Sequence, residues 1–243
     1  MARLSVNIDH IATLREARGS FYPDPVWAVP LIEMAGADGL TLHLRGDQRH
    51  IKERDLRLIK EISSLPLTLE MAANSFMLDI ALKYNPVAVT LVPEEEGEKT
   101  TQGGFNLKQE ATNLAPYITK LREAGLVVCL FVNPDEDSVK IALDLGADYV
   151  ELNTDSYACA QNYKQEEEEL RNIEKIATFA QKKNIGVNAG HALTYNNVVN
   201  ISTIPAIEEL SIGHTIISRA IFVGLEKAVK EMLQLVKGES TIV

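Results

Sequence analysis

Aliphatic and polar residues alternate in short runs along the whole chain, and the segments between those runs return an apolar residue every three or four positions. The alternating runs predict strands at residues 4–9 (LSVNID), 39–44 (GLTLHL), 67–71 (LTLEM) and 88–92 (AVTLV). Four more follow at 127–132 (VVCLFV), 149–153 (YVELN), 185–189 (IGVNA) and 209–213 (ELSIG). Asp24-Pro25 and Asn133-Pro134-Asp135-Glu136 mark helix starts, combining a capping side chain with a proline or acid of the first turn. Apolar residues at Ile221, Leu225, Val229 and Leu233 predict a last helix over 218–237. One turn is nearly repeated, Ala35-Gly36-Ala37-Asp38-Gly39 and Leu145-Gly146-Ala147-Asp148-Tyr149. In both, Gly ends a helix and Asp occupies the turn before a strand.

Eight such units in 243 residues match an α/β fold of the (β/α)8 TIM-barrel type, typically about 250 residues long. No linker or change of composition divides the chain, so residues 1–243 are expected to form one barrel domain with extra helices. A doubly wound sheet is the competing architecture, but no GxGxxG or GxxxxGK[ST] follows any strand. Two connections exceed the short norm. Residues 93–107 (PEEEGEKTTQGGFNL) read as a long mobile loop, with Glu94, Glu95 and Glu96 expected in solvent. Residues 154–169 add a short helix ahead of the main one, whose start carries the solvated run Glu166–Glu169.

In a closed parallel barrel one parity of each strand faces the helices and the other the lumen. Placing Leu4, Val6 and Ile8 outward turns Ser5, Asn7 and Asp9 inward; placing Leu40, Leu42 and Leu44 outward turns Thr41, His43 and Arg45 inward. The same parity sends Thr68 and Glu70, then Tyr149, Glu151 and Asn153, and also Asn188, into the lumen. An unpaired buried charge costs several kcal/mol against a total stability of about 5–15. The inward ionisable groups must therefore pair, meet water or meet a ligand. They fall towards the C-terminal strand ends, where barrel active sites are built. The five histidines, His10, His43, His50, His191 and His214, are expected at or just after strand ends and none on a helix.

Blander roles stand beside these. His10 can cap the first turn, and His43 can be a lumen histidine held by Glu70. Arg45 can be a structural partner of Glu70 or Glu151; Arg18, Arg49 and His50 can be solvated cations; Gly213-His214 can be only a turn.

Composition narrows the partners. The chain is 46% hydrophobic and 24% charged, ordinary for a globular protein. A net charge of -10 argues against nucleic acid and anionic membrane. No run approaches the roughly 18 apolar residues of a membrane span, and MARLSVNIDH does not read as a signal peptide, so a cytoplasmic location is expected. Cys129 and Cys159 are expected to stay reduced.

Phosphate is the anion best suited to this mouth, through the backbone of Asn188-Ala189-Gly190-His191 and Gly213-His214-Thr215 after strands seven and eight. Arg18, Arg45 and His50 are candidates for a second, cationic anion site. His43, Glu70 and His191, with Glu151 nearby, form a proton-transfer set suited to enolisation, imine formation or dehydration. No lysine occupies a strand interior or strand C-terminus, which counts against a Schiff-base aldolase. Asp9, His10, His43 and Glu70 are conceivable metal ligands, but no tight HxH or HxxxH pair occurs, and neither metal nor organic cofactor is expected.

The run VNIDHIATLR, with Ala17-Arg18-Gly19 and Tyr22-Pro23-Asp24-Pro25, resembles the N-terminal signature of the pyridoxine 5'-phosphate synthase family. HLRGDQRHI, Leu69-Glu70-Met71-Ala72, LVPEEEGEKTTQGG, VNAGHALTYNNV and LSIGHTIISRA extend the resemblance over nearly the whole chain. The resemblance implies a barrel assembled into a homo-octamer. It implies a reaction joining 1-deoxy-D-xylulose 5-phosphate with 3-amino-2-oxopropyl phosphate to give pyridoxine 5'-phosphate, phosphate and water. It makes His43 and Glu70 bases, His191 an acid and Glu151 a transition-state stabiliser. Asp9, His10, Arg45, His50 and Thr100 would hold the deoxyxylulose phosphate; Asn7, Arg18, Ala192, Gly213 and His214 would hold the amino-ketone. Thr100 then belongs to a lid. The chain departs from the family at Ala192, where Gly is usual, at Asn153 and Asp155, where His and Gly are usual, and at Gly46 and Gln48, where charges are common. A backbone contact survives at Ala192 provided that residue does not need φ > 0. The alternative reading is a metal-assisted barrel aldolase or epimerase acting on a sugar phosphate.

Overall fold

A computed structural model describes residues 1–94 and 103–238. Eight parallel strands close into a barrel in sequence order. They are β1 (Arg3–Asn7), β2 (Gly39–His43), β3 (Leu67–Met71), β4 (Ala88–Leu91), β5 (Val127–Val132), β6 (Tyr149–Asn153), β7 (Gly186–Gly190) and β8 (Glu209–Ile212). The ring is completed by the β1–β8 pairing, which places Ser5 opposite Ser211.

The parity read from the sequence is the parity observed. Leu4, Val6, Leu40, Leu42, Leu69, Met71, Val150 and Leu152 are buried in the apolar core. The lumen receives small or polar side chains, and Ser5 and Thr41 hydroxyls meet across it at 2.7 Å. Burying a Leu or Val is worth roughly 1.5–3 kcal/mol per side chain, so slipping any strand by one residue would reverse this sorting and is strongly opposed.

The two near-repeated turns fold alike. Gly36 (φ 87) and Gly146 (φ 81) take the left-handed conformation at helix ends. The following carboxylates of Asp38 and Asp148 then accept the N–H of the second residue of the neighbouring strand, from Leu4 and Val128, at 2.8 and 2.9 Å. Asp135 caps its helix as expected, accepting from the Ser138 backbone at 2.8 Å. Asp24 caps only a single 3₁₀ turn, Pro25–Trp27, which runs into the helix Ala28–Ala35.

Two expectations need correction, while the expected short extra helix is present. Strand one ends at Asn7, so Asp9 and His10 lie in the first turn of the helix Asp9–Arg18, and His214 opens the helix His214–Val223. Histidines therefore do occur on helices, but at their N-terminal turns, facing the barrel mouth. The last helix is two, His214–Val223 and Leu225–Lys237, because Gly224 at φ 84 and ψ 153 breaks the run. The short extra helix is Asp155–Ala158, ahead of Tyr163–Lys182. Among the described residues no helix is long and apolar enough to cross a membrane.

Candidate active site

The C-terminal mouth of the barrel holds a cavity of about 630 Å³. On its β1–β2 side the chain fixes itself through one buried carboxylate. Asp9 donates its N–H to Asn7 Oδ1, and its own side chain accepts from Asn7 Nδ2 and from the His43 backbone, each at 2.9 Å. That bridge ties the end of β1 to the end of β2. His43 is the last residue of β2, in register with Glu70 on β3, and its Nδ1 stands 4.0 Å from Glu70 Oε2. Its Nε2 is 2.9 Å from Glu94 Oε1, and Glu94 Oε2 accepts the Gly46 N–H at 3.2 Å.

Glu94 is thus no solvated acid. Its side chain is largely buried; burial pushes its pKa up, but the His43 hydrogen bond and charge, the Gly46 N–H and the Arg45 charge together outweigh it and hold the pKa below the usual value, so it stays ionised. In the sequence it is the first of three glutamates, which hid its inward turn at the end of β4.

His50 accepts the Ile51 N–H on Nδ1 at 2.8 Å, so in the neutral ring Nε2 carries the proton. Arg15, also missed in the sequence, donates to the His50 carbonyl at 2.8 Å while forking onto buried Asp55 at 2.9 and 2.8 Å. His10 and His214 meet edge to face at 4.9 Å between ring centres. Burial pushes the imidazoles of His10 and His50 below their ordinary pKa; nearby Asp9 works against it in both, and neighbouring cations with it.

Donor atoms of Asp9, His43 and His50 lie within 4.8 Å of one another, a grouping that can hold a metal ion. The hydrogen bonds already made fit it poorly. Both Asp9 oxygens accept hydrogen bonds, and the lone pair of His50 is spent on Ile51. What His50 offers is an N–H, which suits an oxyanion.

The opposite side holds the remaining proton carriers. Glu151 on β6 faces Phe131 and Asn188 in register. Burial and then the charge of Glu209 push its carboxyl up to about 8. Glu70 is also pushed well above the carboxylate range by burial and by the charges of Glu151 and Asp9, against hydrogen bonds from Ser211 and Asn7. Glu151 therefore holds its proton at neutral pH, and Glu70 is shifted in the same direction. Gly190 is required beside them, since a Cβ there would overlap Glu151 Oε1.

The β7 loop turns sharply. His191 (φ 82) and Ala192 (φ 58) are both left-handed, so the proviso on Ala192 fails: the position does need positive φ, and alanine occupies it under strain. His191 Nδ1 makes no hydrogen bond among the described residues, and its nearest acid, Asp155 Oδ1, is at 3.5 Å. After β8, Gly213 precedes the helix His214–Val223. The first N–H groups of that helix have no intrahelical partner and point at the mouth, an anion cradle. A Cβ on Gly213 would stand 3.0 Å from Asn7, so the close approach requires glycine.

Asn7, Asp9, His10, His43, Arg45, His50, Glu70, Glu151, His191, Ala192, Gly213 and His214 all line this one cavity. Arg18 does not. It sits exposed in the last turn of the helix Asp9–Arg18, about 13 Å along the helix axis from Asp9 at roughly 1.5 Å per residue. Thr100 and the lid lie outside the described residues. Ser211 and Phe131 also line the wall and carried no sequence signal beyond their place in or beside the strands; Thr215, of the expected phosphate loop, lines it too.

A barrel whose C-terminal mouth joins buried acid–base groups to a helix-end anion cradle defines a TIM-barrel enzyme of small-molecule chemistry. The comparisons with known proteins make this specific. Residues 4–238 match the family described as Pyridoxal phosphate biosynthesis protein PdxJ, and the chain belongs to it. The pyridoxine 5'-phosphate synthase of Geobacter sp. (strain M21) is 53% identical over 98% of this chain and 99% of its own length. That of Aliivibrio fischeri (strain ATCC 700601 / ES114) is 47% identical over 97% of each. Among solved structures, a 4-hydroxy-2-oxoglutarate/2-dehydro-3-deoxyphosphogluconate aldolase from TTHB1 superposes with a TM-score of 0.62 at 12% identity, covering 96% of this chain and 93% of that one. That likeness concerns the fold alone.

Proposed function

We propose that this chain is a cytoplasmic enzyme, one barrel domain over residues 1–243, that condenses 1-deoxy-D-xylulose 5-phosphate with 3-amino-2-oxopropyl phosphate. The products are pyridoxine 5'-phosphate, phosphate and water. The observation that carries the reading is the meeting of His43, Glu70, Glu151 and His191 in one cavity of a chain that belongs to this family.

His43 is the general base of the dehydration and ring-closure steps. Glu70, raised well above the carboxylate range by burial and by the charges of Glu151 and Asp9, takes and returns a second proton. His191, half-buried and open to the cavity, is the acid that protonates a leaving group. Glu151 stabilises positive charge in the transition state when ionised and donates a hydrogen bond when protonated. Asp9, His10, Arg45 and His50 form the subsite of the deoxyxylulose phosphate. Asn7, the backbone at Ala192, and Gly213-His214 at the helix start form that of the amino-ketone phosphate. Assembly into a homo-octamer is supported by large apolar side chains left in solvent at Phe21, Tyr22, Trp27, Ile221 and Phe222; sedimentation as a stable monomer would overturn it.

The test of function uses metal-stripped protein with both substrates and follows pyridoxine 5'-phosphate by mass spectrometry, with His43→Ala alongside. Product from the native chain and almost none from the variant is expected. Absence of product while both substrates bind would reject the reaction. Recovery of a different activity only on restoring divalent metal would favour the aldolase or epimerase reading, for which the grouping of Asp9, His43 and His50 speaks.

A further inference from the structure

We propose that Glu94 is the positioning residue of His43: it holds the proton of Nε2 and so leaves Nδ1 as the one nitrogen able to accept a proton from substrate. The inference rests on His43 being the base of the proposed reaction, and nothing in the family resemblance gave Glu94 a role.

The geometry is that of a carboxylate orienting an imidazole. An ionised carboxylate can only accept hydrogen bonds, so at 2.9 Å from Glu94 Oε1 the His43 Nε2 must carry hydrogen. A neutral imidazole has one N–H, and its lone pair is then on Nδ1, the nitrogen on the Glu70 side. Among the described residues, no other group set against the His43 ring fixes this choice. Asp9 holds only the backbone N–H of His43, and the His50 ring packs edge to face at 5.9 Å between centres. Both side chains of the pair are more than four-fifths buried, so water competes weakly for the contact.

The second oxygen of Glu94 makes the assignment testable. Oε2 accepts from the Gly46 N–H, a group that can only donate. In Glu94→Gln the amide oxygen is claimed by Gly46, and the NH₂ must face His43. An amide donor there requires a lone pair on Nε2, which moves the imidazole proton to Nδ1 and removes the base. The substitution keeps size and the Gly46 contact while inverting the tautomer. Glu94→Ala removes both contacts without imposing either tautomer, and Glu94→Asp keeps an acceptor at shorter reach.

The experiment is ¹⁵N magic-angle-spinning NMR of substrate-free protein labelled at histidine, at about pH 8.5, with His43 assigned by its loss in His43→Gln. Beside it, kcat and KM are measured for the native chain and for Glu94→Gln, Glu94→Ala and Glu94→Asp. In the native chain His43 should show a protonated Nε2 and a bare Nδ1; in Glu94→Gln the two should exchange. The kcat of Glu94→Gln should fall by about 100-fold or more, the usual worth of a general base, with KM within about three-fold. Glu94→Asp should recover at least about ten-fold of that loss. An unchanged tautomer in Glu94→Gln, or a kcat within about three-fold of native, overturns the proposal. The tautomer is read without substrate, so a failure of the proposed reaction shows as a native chain that makes no product and is separate from a failure of this inference.

Discussion

The two histidines assigned to proton transfer are held in opposite ways. His43 is the last residue of a central strand, and its backbone N–H, Nε2 and Nδ1 face three carboxylates, those of Asp9, Glu94 and Glu70. His191 sits in a left-handed turn beyond β7, with a side chain 27% exposed and an Nδ1 lacking a hydrogen bond among the described residues. The difference matches the roles proposed for them. A base must present one nitrogen in one tautomer before substrate arrives. An acid acting on a leaving group can be completed by the substrate itself, so a rim position with an uncommitted nitrogen suffices.

The contrast breaks most visibly under alanine substitution with chemical rescue. His43→Ala should lower kcat by about 10³-fold, within the range general for proton transfer, and added imidazole should restore little, because a free ring lacks the strand that sets Nε2 against Glu94 and Nδ1 towards Glu70. His191→Ala should lose about 10²-fold and recover measurably with imidazole, since its place opens on the cavity. Equal rescue at both positions, measured as kcat against imidazole concentration, would remove the distinction.

A smaller effect is expected in stability. The Glu151 carboxyl, pushed up to about 8 by burial, is raised above its unfolded value. The folded state then binds the extra proton, so stability is greatest at low pH and is lost as pH rises through 8. From pH 6 to pH 9 that loss is about 3 kcal/mol for this group. Glu151→Gln, which mimics the protonated acid, should lack it, so thermal unfolding of native and variant should diverge as pH rises across that window. Parallel curves would mean that Glu151 ionises without cost. Smallest of all, Ala192→Gly should stabilise the β7 turn by up to about 1 kcal/mol, since a left-handed alanine costs roughly 1–2 and glycine returns part of that as chain entropy. Thermal unfolding at fixed pH checks the sign.

The barrel was legible because its two parities differ in chemistry: a run such as Gly39–His43 can bury Leu40 and Leu42 under helices only by sending Thr41 and His43 inward. Strand starts and ends blurred where a polar residue can serve either element. Asp9 continues the inward parity of β1 yet opens a helix, because its side chain is drawn to the β2 backbone. Gly224 was hidden inside an otherwise periodic helix, where only the backbone angle reveals the break. Glu94 and Arg15 escaped notice for one reason: each sits among charged or helical neighbours that look solvated, and only residues distant in sequence, His43 at the end of β2 for Glu94 and Asp55 on a helix for Arg15, give it a buried partner. Arg18, which the motif assigns to substrate, lies in this chain at the far end of the helix Asp9–Arg18, outside the residues lining the cavity.

One further consequence follows from His10, whose imidazole burial holds below its ordinary pKa. A phosphate ester at neutral pH carries close to two negative charges, and an opposite charge at contact distance favours the protonated ring. Capture of a phosphorylated ligand therefore draws hydrogen ions from the medium. Affinity should weaken as the solution becomes more alkaline, and the heat of association should vary with the ionisation enthalpy of the buffer. This wall of the cavity gains positive charge as the anion settles against it.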